Sequence, residues 1–105
     1  MSESRANLVV SLWLKTDDVA AFEQFERAAA LVMAKHGGRI DHVVRASDAE
    51  ARDGPFEVHV VSFPDWDAFE AYRGDPQLKD LLPLRERLIA RTEIWRGEER
   101  AVYAP

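Results

Sequence analysis

The chain of 105 residues contains no cysteine, so disulfide bonds, thiolate nucleophiles and cysteine-based metal sites are excluded. Long apolar runs are missing too. The first six residues have no apolar stretch like that of a signal peptide, and no segment is long enough to span a bilayer. These absences predict a cytoplasmic protein that does not enter the membrane.

Basic residues are outnumbered, with 14 Lys and Arg against 19 Asp and Glu. The formal net charge is -5 at pH 7, and no cluster of lysine and arginine stands out. A surface that is negative on average repels a phosphate backbone, so we expect no nucleic-acid partner. The length and the hydrophobic fraction of 47% are those of one globular domain, which we place over residues 1–105.

Familiar catalytic motifs are absent as well. There is no glycine-rich phosphate loop and no nucleophile elbow, and the three histidines lack the spacing of metal ligands. We therefore expect neither a metal ion nor a cofactor.

The most informative stretch that is present covers residues 56–63, an apolar-rich run followed directly by Pro64 and Asp65. A run of this length predicts a strand. Proline ends the strand, and the Asp65 side chain is suited to cap the start of a helix. Asp75 and Pro76 repeat this start signal, because proline is favoured at the first helical position. Two short consecutive helices are therefore predicted after the strand.

Hydrophobic periodicity places the remaining elements. Strands are predicted at 8–14, 39–46 and 92–96, and a helix at about 19–36, ended by Gly37, with Glu26 largely off its apolar stripe. The order β-α-β-β-α-β, with its second helix split, predicts an α+β, ferredoxin-like fold with a four-stranded antiparallel sheet. Right-handed crossovers put the first and third strands in the centre.

Side-chain alternation assigns the two faces of this sheet. The even-numbered residues 8–14 of the first strand are all aliphatic and are expected to face the helices. The opposite face would then expose large apolar groups, which is typical of a partner surface. We predict a homodimer whose two sheets pack face to face through Trp13, His59, Val61 and Phe63.

Residues 61–79 carry a strand end, a short aromatic helix, an acidic residue before proline and a second short helix. This segment resembles the dimeric α+β barrel superfamily, which includes antibiotic-biosynthesis monooxygenases, EthD-like and YciI-like proteins and several uncharacterised families. Arg85 stands where one such uncharacterised family has an arginine. Cofactor-free monooxygenases of the superfamily have a Trp, a Tyr and an Arg near this helix, and Trp66, Tyr72 and Arg85 are similar.

Haem-degrading members of the superfamily use an Asn in the first strand, a Trp, and a His on the helix that follows. Asn7 and Trp66 could take the first two positions, but no histidine follows His59 in this chain. Haem ligation by this helix is therefore not expected.

The candidate catalytic residues are His42, Tyr72 and Arg85. His42 is expected on the helix-covered face with Ile40 and Val44, where a neutral imidazole could take a proton from a phenol-like substrate. The competing interpretation is a core histidine bonded to a backbone carbonyl or a tyrosine. Arg85 could bind a carboxylate or phenolate, or pair with a surface carboxylate. Candidate ligand-binding residues are Trp66, Phe69 and Phe22.

Two functions follow from these residues. One is a cofactor-independent monooxygenase or isomerase that acts on a small aromatic or polyketide-like compound. The alternative is a non-catalytic ligand-binding or accessory homodimer, or a purely structural homodimer, which would have no cavity and a large interface. The enzyme requires a cavity on which acid, base and anion-binding groups converge. A cavity filled by Phe22, Met33 and Phe69 would favour the alternative.

Overall fold

The computed structural model describes residues 5–47 and 53–105. Its four strands are β1 (Ala6–Leu14), β2 (Arg39–Arg45), β3 (Glu57–Phe63) and β4 (Ile89–Gly97). Its helices are α1 (Val19–Lys35), α2 (Trp66–Arg73), α3 (Pro76–Asp80) and α4 (Leu82–Leu88). The predicted element order and the split second helical region are confirmed. Most of the polar turn expected between β2 and β3 lies outside the described residues.

The sheet has the strand order β2-β3-β1-β4, and all neighbouring strands are antiparallel. The first and third strands are therefore central, as the handedness of the crossovers predicted. All helices pack on one face, which makes the fold α+β and ferredoxin-like. In the part of the chain that is described, no helix is long and apolar enough to cross a membrane.

Local signals in the sequence explain where the helices begin and end. Asp18, Asp65 and Asp75 each accept a hydrogen bond from a backbone N–H in the first turn of the next helix, at 3.0, 2.7 and 2.8 Å. Pro76 lies in the first turn of α3. Gly37 follows α1 with a φ of 73°, a backbone conformation that favours glycine.

The core lies between the helices and the sheet face that carries Leu8 and Leu12. Two clusters of buried side chains fill it, one around Phe63 and one around Phe22, and both rings are 0% exposed. Burial of these apolar groups is the main source of stability for a fold of two layers.

The face assignment predicted for β3 is wrong. Val61 and Phe63 pack with Leu8 in the core, and His59 lies on the same face of the strand. Phe63 is 0% exposed, Val61 4% and His59 4%. Of the predicted partner surface, only Trp13 lies on the face away from the helices.

The placement predicted for His42 is wrong as well. A β-bulge between Ile40 and His42 shifts the register of β2 against β3. Ile40 pairs with Val61 and packs against the core, whereas His42 pairs with Val60 on the opposite face. A bulge adds one unpaired residue, so the residues on its two sides no longer alternate as the sequence suggests. After the bulge, Arg45 pairs with Glu57.

Candidate functional site

A cavity of about 350 Å³ lies between the helices and the sheet. Most of its wall is apolar, with contributions from Val10, Ala29, Met33, Phe69 and Ile94. This size and lining are typical of a site for a small, mainly apolar molecule.

Polar side chains enter the cavity from five different elements. They come from α1, β3, α2, α4 and β4, and this convergence is typical of an active site. The polar residues that line the cavity are Glu26, His59, Tyr72, Arg73, Arg85 and Thr92.

A buried hydrogen bond to a carboxylate holds the histidine of this cavity. His59 Nε2 lies 2.7 Å from Glu57 Oε1, and the two side chains are each only 6% exposed. Because a carboxylate only accepts hydrogen bonds, this contact assigns the proton to Nε2. Nδ1 of His59 bonds to no other described residue. Because no fully buried side-chain nitrogen or oxygen among the described residues lacks a partner, Nδ1 must border open space. The ring therefore has one nitrogen held by Glu57 and one available to a molecule in the cavity.

The electrostatics of the cavity link its polar groups. Burial raises the pKa of Glu26; the nearby His59 and Arg85 oppose this rise, and Glu57 adds to it. Burial, reinforced by Glu26, raises the pKa of Tyr72 to about 12. At neutral pH Tyr72 is therefore a hydroxyl that can donate a hydrogen bond, and it is not a base.

Arg85 supplies positive charge to the cavity. Its guanidinium donates a hydrogen bond to the hydroxyl of Thr92. Within residues 5–47 and 53–105, no carboxylate forms an ion pair with Arg85. The remaining N–H groups can bind an anionic oxygen of a ligand, and a planar guanidinium suits this role.

The structure brings only some of the predicted site residues together. Tyr72, Arg85 and Phe69 line the cavity. Phe22 is buried in the core behind the cavity wall, and Trp66 packs against Phe69 from outside with ring centroids 6.0 Å apart.

His42 does not join the cavity. It lies in a groove on the opposite face of the sheet, beside Asn7 and Arg39. The helix-covered position predicted for its imidazole belongs instead to His59, from the neighbouring strand.

Sequence reasoning missed Glu26, Glu57, His59 and Thr92. Two signals could have found the first three. Glu57 and His59 are ionisable residues two positions apart in an apolar strand, so they share one face. Glu26 lies four residues after Phe22 and three before Ala29, which places it beside the apolar stripe of α1. For Thr92 we see no such signal.

The described part of the chain contains no cluster of metal-binding side chains. No group of three or more His, Cys, Asp or Glu side chains there is arranged to hold a metal ion. His42 and His59 lie on opposite faces of the sheet.

Solved structures with the same fold come from several protein families. A protein of unknown function from Rhodopseudomonas palustris aligns with a TM-score of 0.77 and 14% identity, over 96% of this chain and 86% of its own. SnoaB, a cofactor-independent oxygenase from Streptomyces nogalater, aligns with a TM-score of 0.73 and 16% identity, over 94% of this chain and 96% of its own.

A DABB-family protein with a ferredoxin-like fold, from Mesorhizobium loti, aligns with a TM-score of 0.63 and 16% identity, covering 97% of each chain. At these identities the likeness shows the fold alone. No curated protein sequence matches this chain significantly.

The family profile of a domain of unknown function, DUF1330, matches residues 6–95. The match covers the described helices and strands except the last two residues of β4, and it includes every residue that lines the cavity. The chain therefore belongs to the DUF1330 family and has the fold of the dimeric α+β barrel superfamily.

Proposed function

We propose that this protein is an acid–base enzyme that removes a proton from carbon in a small, mainly apolar ketone. The observation that carries the proposal is the buried His59–Glu57 pair at an apolar cavity, with the second ring nitrogen unpartnered among the described residues. A histidine oriented by a carboxylate is a common general base, and burial among apolar groups excludes water.

The proposed step uses three side chains. His59 Nδ1 takes a proton from the carbon next to the carbonyl, so a C–H bond breaks, an N–H bond forms and the electron pair stays on the substrate as an enolate. The Glu57 carboxylate stabilises the imidazolium that results. The enolate oxygen is bound by the Arg85 guanidinium and the Tyr72 hydroxyl, both of which line the cavity.

Enolate formation is the first step of two reactions. Protonation at another position completes an isomerisation, and reaction of the enolate with dioxygen begins an oxygenation that needs no cofactor. The fold shared with SnoaB, a cofactor-independent oxygenase, supports this class of chemistry. The predominantly apolar wall supports an aromatic or polyketide-like substrate.

We also propose that two copies associate through the face of the sheet away from the helices. This outer face carries Trp95, 69% exposed, and Val44, 67% exposed, beside Val9, Trp13 and Val60. An apolar surface of this kind favours a partner, and a second copy offers a matching sheet.

The test of the enzyme uses proton exchange, which precedes both possible outcomes. Aryl ketones with and without a carboxylate are screened by thermal shift, and those that stabilise the protein are incubated in D₂O. Proton NMR then follows loss of the C–H signal next to the carbonyl. We expect exchange above the buffer rate, and a decrease of about 10²- to 10⁴-fold in His59→Gln and Glu57→Gln.

The matched control is Glu86→Gln, which alters an exposed carboxylate on α4 and should exchange at the wild-type rate. Bound ketones that exchange no faster than in buffer would overturn the proposal and favour a non-catalytic ligand-binding protein. Wild-type exchange in folded His59→Gln would show that another group is the base.

A further inference from the structure

Three alternating charges, Glu23, Arg45 and Glu57, connect the protein surface to the histidine of the cavity. Glu23 Oε2 lies 3.1 Å from Arg45 Nη2, and Arg45 Nε lies 2.7 Å from Glu57 Oε2. Glu57 Oε1 in turn lies 2.7 Å from His59 Nε2. The first two side chains are 38% exposed and the last two 6%, so the series runs from solvent into the core.

Both oxygens of Glu57 are used in this arrangement. Oε1 accepts from His59 and Oε2 accepts from Arg45, so rotation of the carboxylate would break one bond or both. Two bonds at opposite oxygens hold the carboxylate plane, and the carboxylate plane sets the orientation of the imidazole. Without Arg45, Glu57 would keep only its bond to His59.

Arg45 is itself held at three points. It bonds to Glu57 and Glu23, and its guanidinium carbon lies 4.8 Å from the centre of the Phe56 ring. The ring of Phe56 packs edge-on against buried Phe22, with centroids 5.8 Å apart. The bond to Glu57 also raises the pKa of Arg45 above its ordinary value. A surface arginine with a purely solvating role would not need these contacts.

We infer that Arg45, anchored by Glu23, is a positioning residue that fixes Glu57 and thereby keeps His59 in the tautomer with the proton on Nε2. The catalytic consequence rests on the proposed function, because it is Nδ1 that would then act as the base. The structural part of the inference concerns the protein without ligand and can be tested separately.

The test is ¹⁵N NMR of the full chain labelled at histidine, with the His59 signals assigned by their loss in His59→Gln. We expect the wild type to show one tautomer, with Nε2 protonated and Nδ1 not. Arg45→Met removes the guanidinium but keeps an apolar stem, and should give averaged signals from both tautomers. Arg45→Lys restores a positive charge and should recover much of the wild-type pattern.

Two further variants make the result specific. Glu23 lies near the surface, so the Glu23→Gln variant should fold. Its His59 signals should shift in the same direction as those of Arg45→Met, but by a smaller amount. Arg39→Met removes an arginine from the other end of β2, where it pairs with Asp41, and should leave the His59 signals unchanged. In the exchange assay, Arg45→Met should lower the maximal rate by about tenfold with little change in substrate affinity.

The outcomes separate the two claims. Unchanged His59 signals in Arg45→Met and Glu23→Gln would overturn the positioning role and leave the proposed function standing. A tautomer shift in these variants, together with no proton exchange in the wild type, would confirm the positioning role and overturn the proposed function. A wild type that already shows both tautomers would overturn the inference directly.

Discussion

Glu57 and His59 are ionisable residues in a central strand, and their role depends on what surrounds them. In a strand with one solvated face, they would mark the solvated side. Here they face the helices, where each finds a charged or hydrogen-bonding partner. Burial of charge is unfavourable unless the charge is paired. A buried charged pair is weak evidence for stability, and the proposed role of His59 as a base would give this pair a purpose.

Asp75 is a second buried carboxylate, with a structural role. It is 7% exposed and caps α3 through the backbone N–H of Gln77. It also accepts from His36 Nε2 at 2.8 Å and forms an ion pair with Lys35 Nζ at 3.0 Å. The bond to His36, followed by those to Gln77 and Lys35, lowers the pKa of Asp75 from 3.8 to about 2. This carboxylate ties the end of α1 to the start of α3.

The lowered pKa of Asp75 predicts acid sensitivity. The pKa is lower in the folded chain than in the unfolded chain, so the stabilisation is complete above pH 3.8 and is lost as the pH falls towards 2. Asp75→Asn should therefore lower the free energy of unfolding at pH 7, and its difference from wild type should shrink between pH 4 and pH 2. Urea unfolding at several pH values measures this difference.

Asp80→Asn changes an exposed carboxylate at the end of α3 and is the matched control, with little effect expected at any pH. A deficit in Asp75→Asn that is the same at pH 7 and near pH 2 would contradict the role assigned to the ionised carboxylate.

At the scale of elements, the junction between α1 and β2 determines how closely the helix approaches the sheet. Gly37 follows the helix with a positive φ, and the next residue, Gly38, lies against side chains of the core. A Cβ atom at Gly38 would lie 2.4 Å from the Phe63 ring and 2.5 Å from the Met33 side chain. Arg5 closes the same corner by donating to the Gly37 carbonyl and to Ser62 Oγ, at 3.1 and 3.0 Å.

Gly38→Ala is therefore expected to destabilise the fold. The added methyl group overlaps a buried aromatic ring, and overpacking of this kind costs about 1–3 kcal/mol in the free energy of unfolding. Urea or thermal unfolding measures the change. Gly54→Ala is the control, because nothing lies within 4 Å of a Cβ there. Equal stabilities of the two variants would show that the core yields easily at Phe63.

At the scale of the whole molecule, one sheet face is covered and the other is open. The Cα extents are 45 × 42 × 17 Å, and the smallest of them matches one helix layer on one sheet. Trp95, Trp13 and Val44 lie on the open side. The outer face is wide, and its central strands carry Val9 and Val60 opposite each other. This geometry is the basis of the proposed dimer.

If the proposed dimer forms, the wild-type protein should sediment with the mass of two copies at micromolar concentration. Trp95→Lys should weaken the association by about 2 kcal/mol, or about thirtyfold, because a buried tryptophan is a frequent hot spot of interfaces. Leu31→Lys is the control on the helix side, where the leucine is 73% exposed, and should remain dimeric. A monomeric wild type would contradict the proposed interface.

Much of the fold could be predicted because its signals are local. Asp18, Asp65 and Asp75 cap helices through nearby N–H groups, and Gly37 adopts the conformation that its position after a helix predicts. The candidate site could be predicted only in part. Tyr72 and Arg85 line the cavity, but His59 and His42 were each assigned to the wrong face of the sheet.

The sequence by itself determined the order of the elements, their ends and the centre of the sheet, since capping, periodicity and chirality act over a few residues or through general handedness. Only the tertiary structure decided which face of β3 turns inward. Side-chain alternation was expected to turn His59, Val61 and Phe63 outward, but Val61 and Phe63 pack with Leu8 in the core, and Glu57 on the same face is paired with Arg45. That choice depends on contacts among β2, β3, α1 and α4, which lie far apart in the chain.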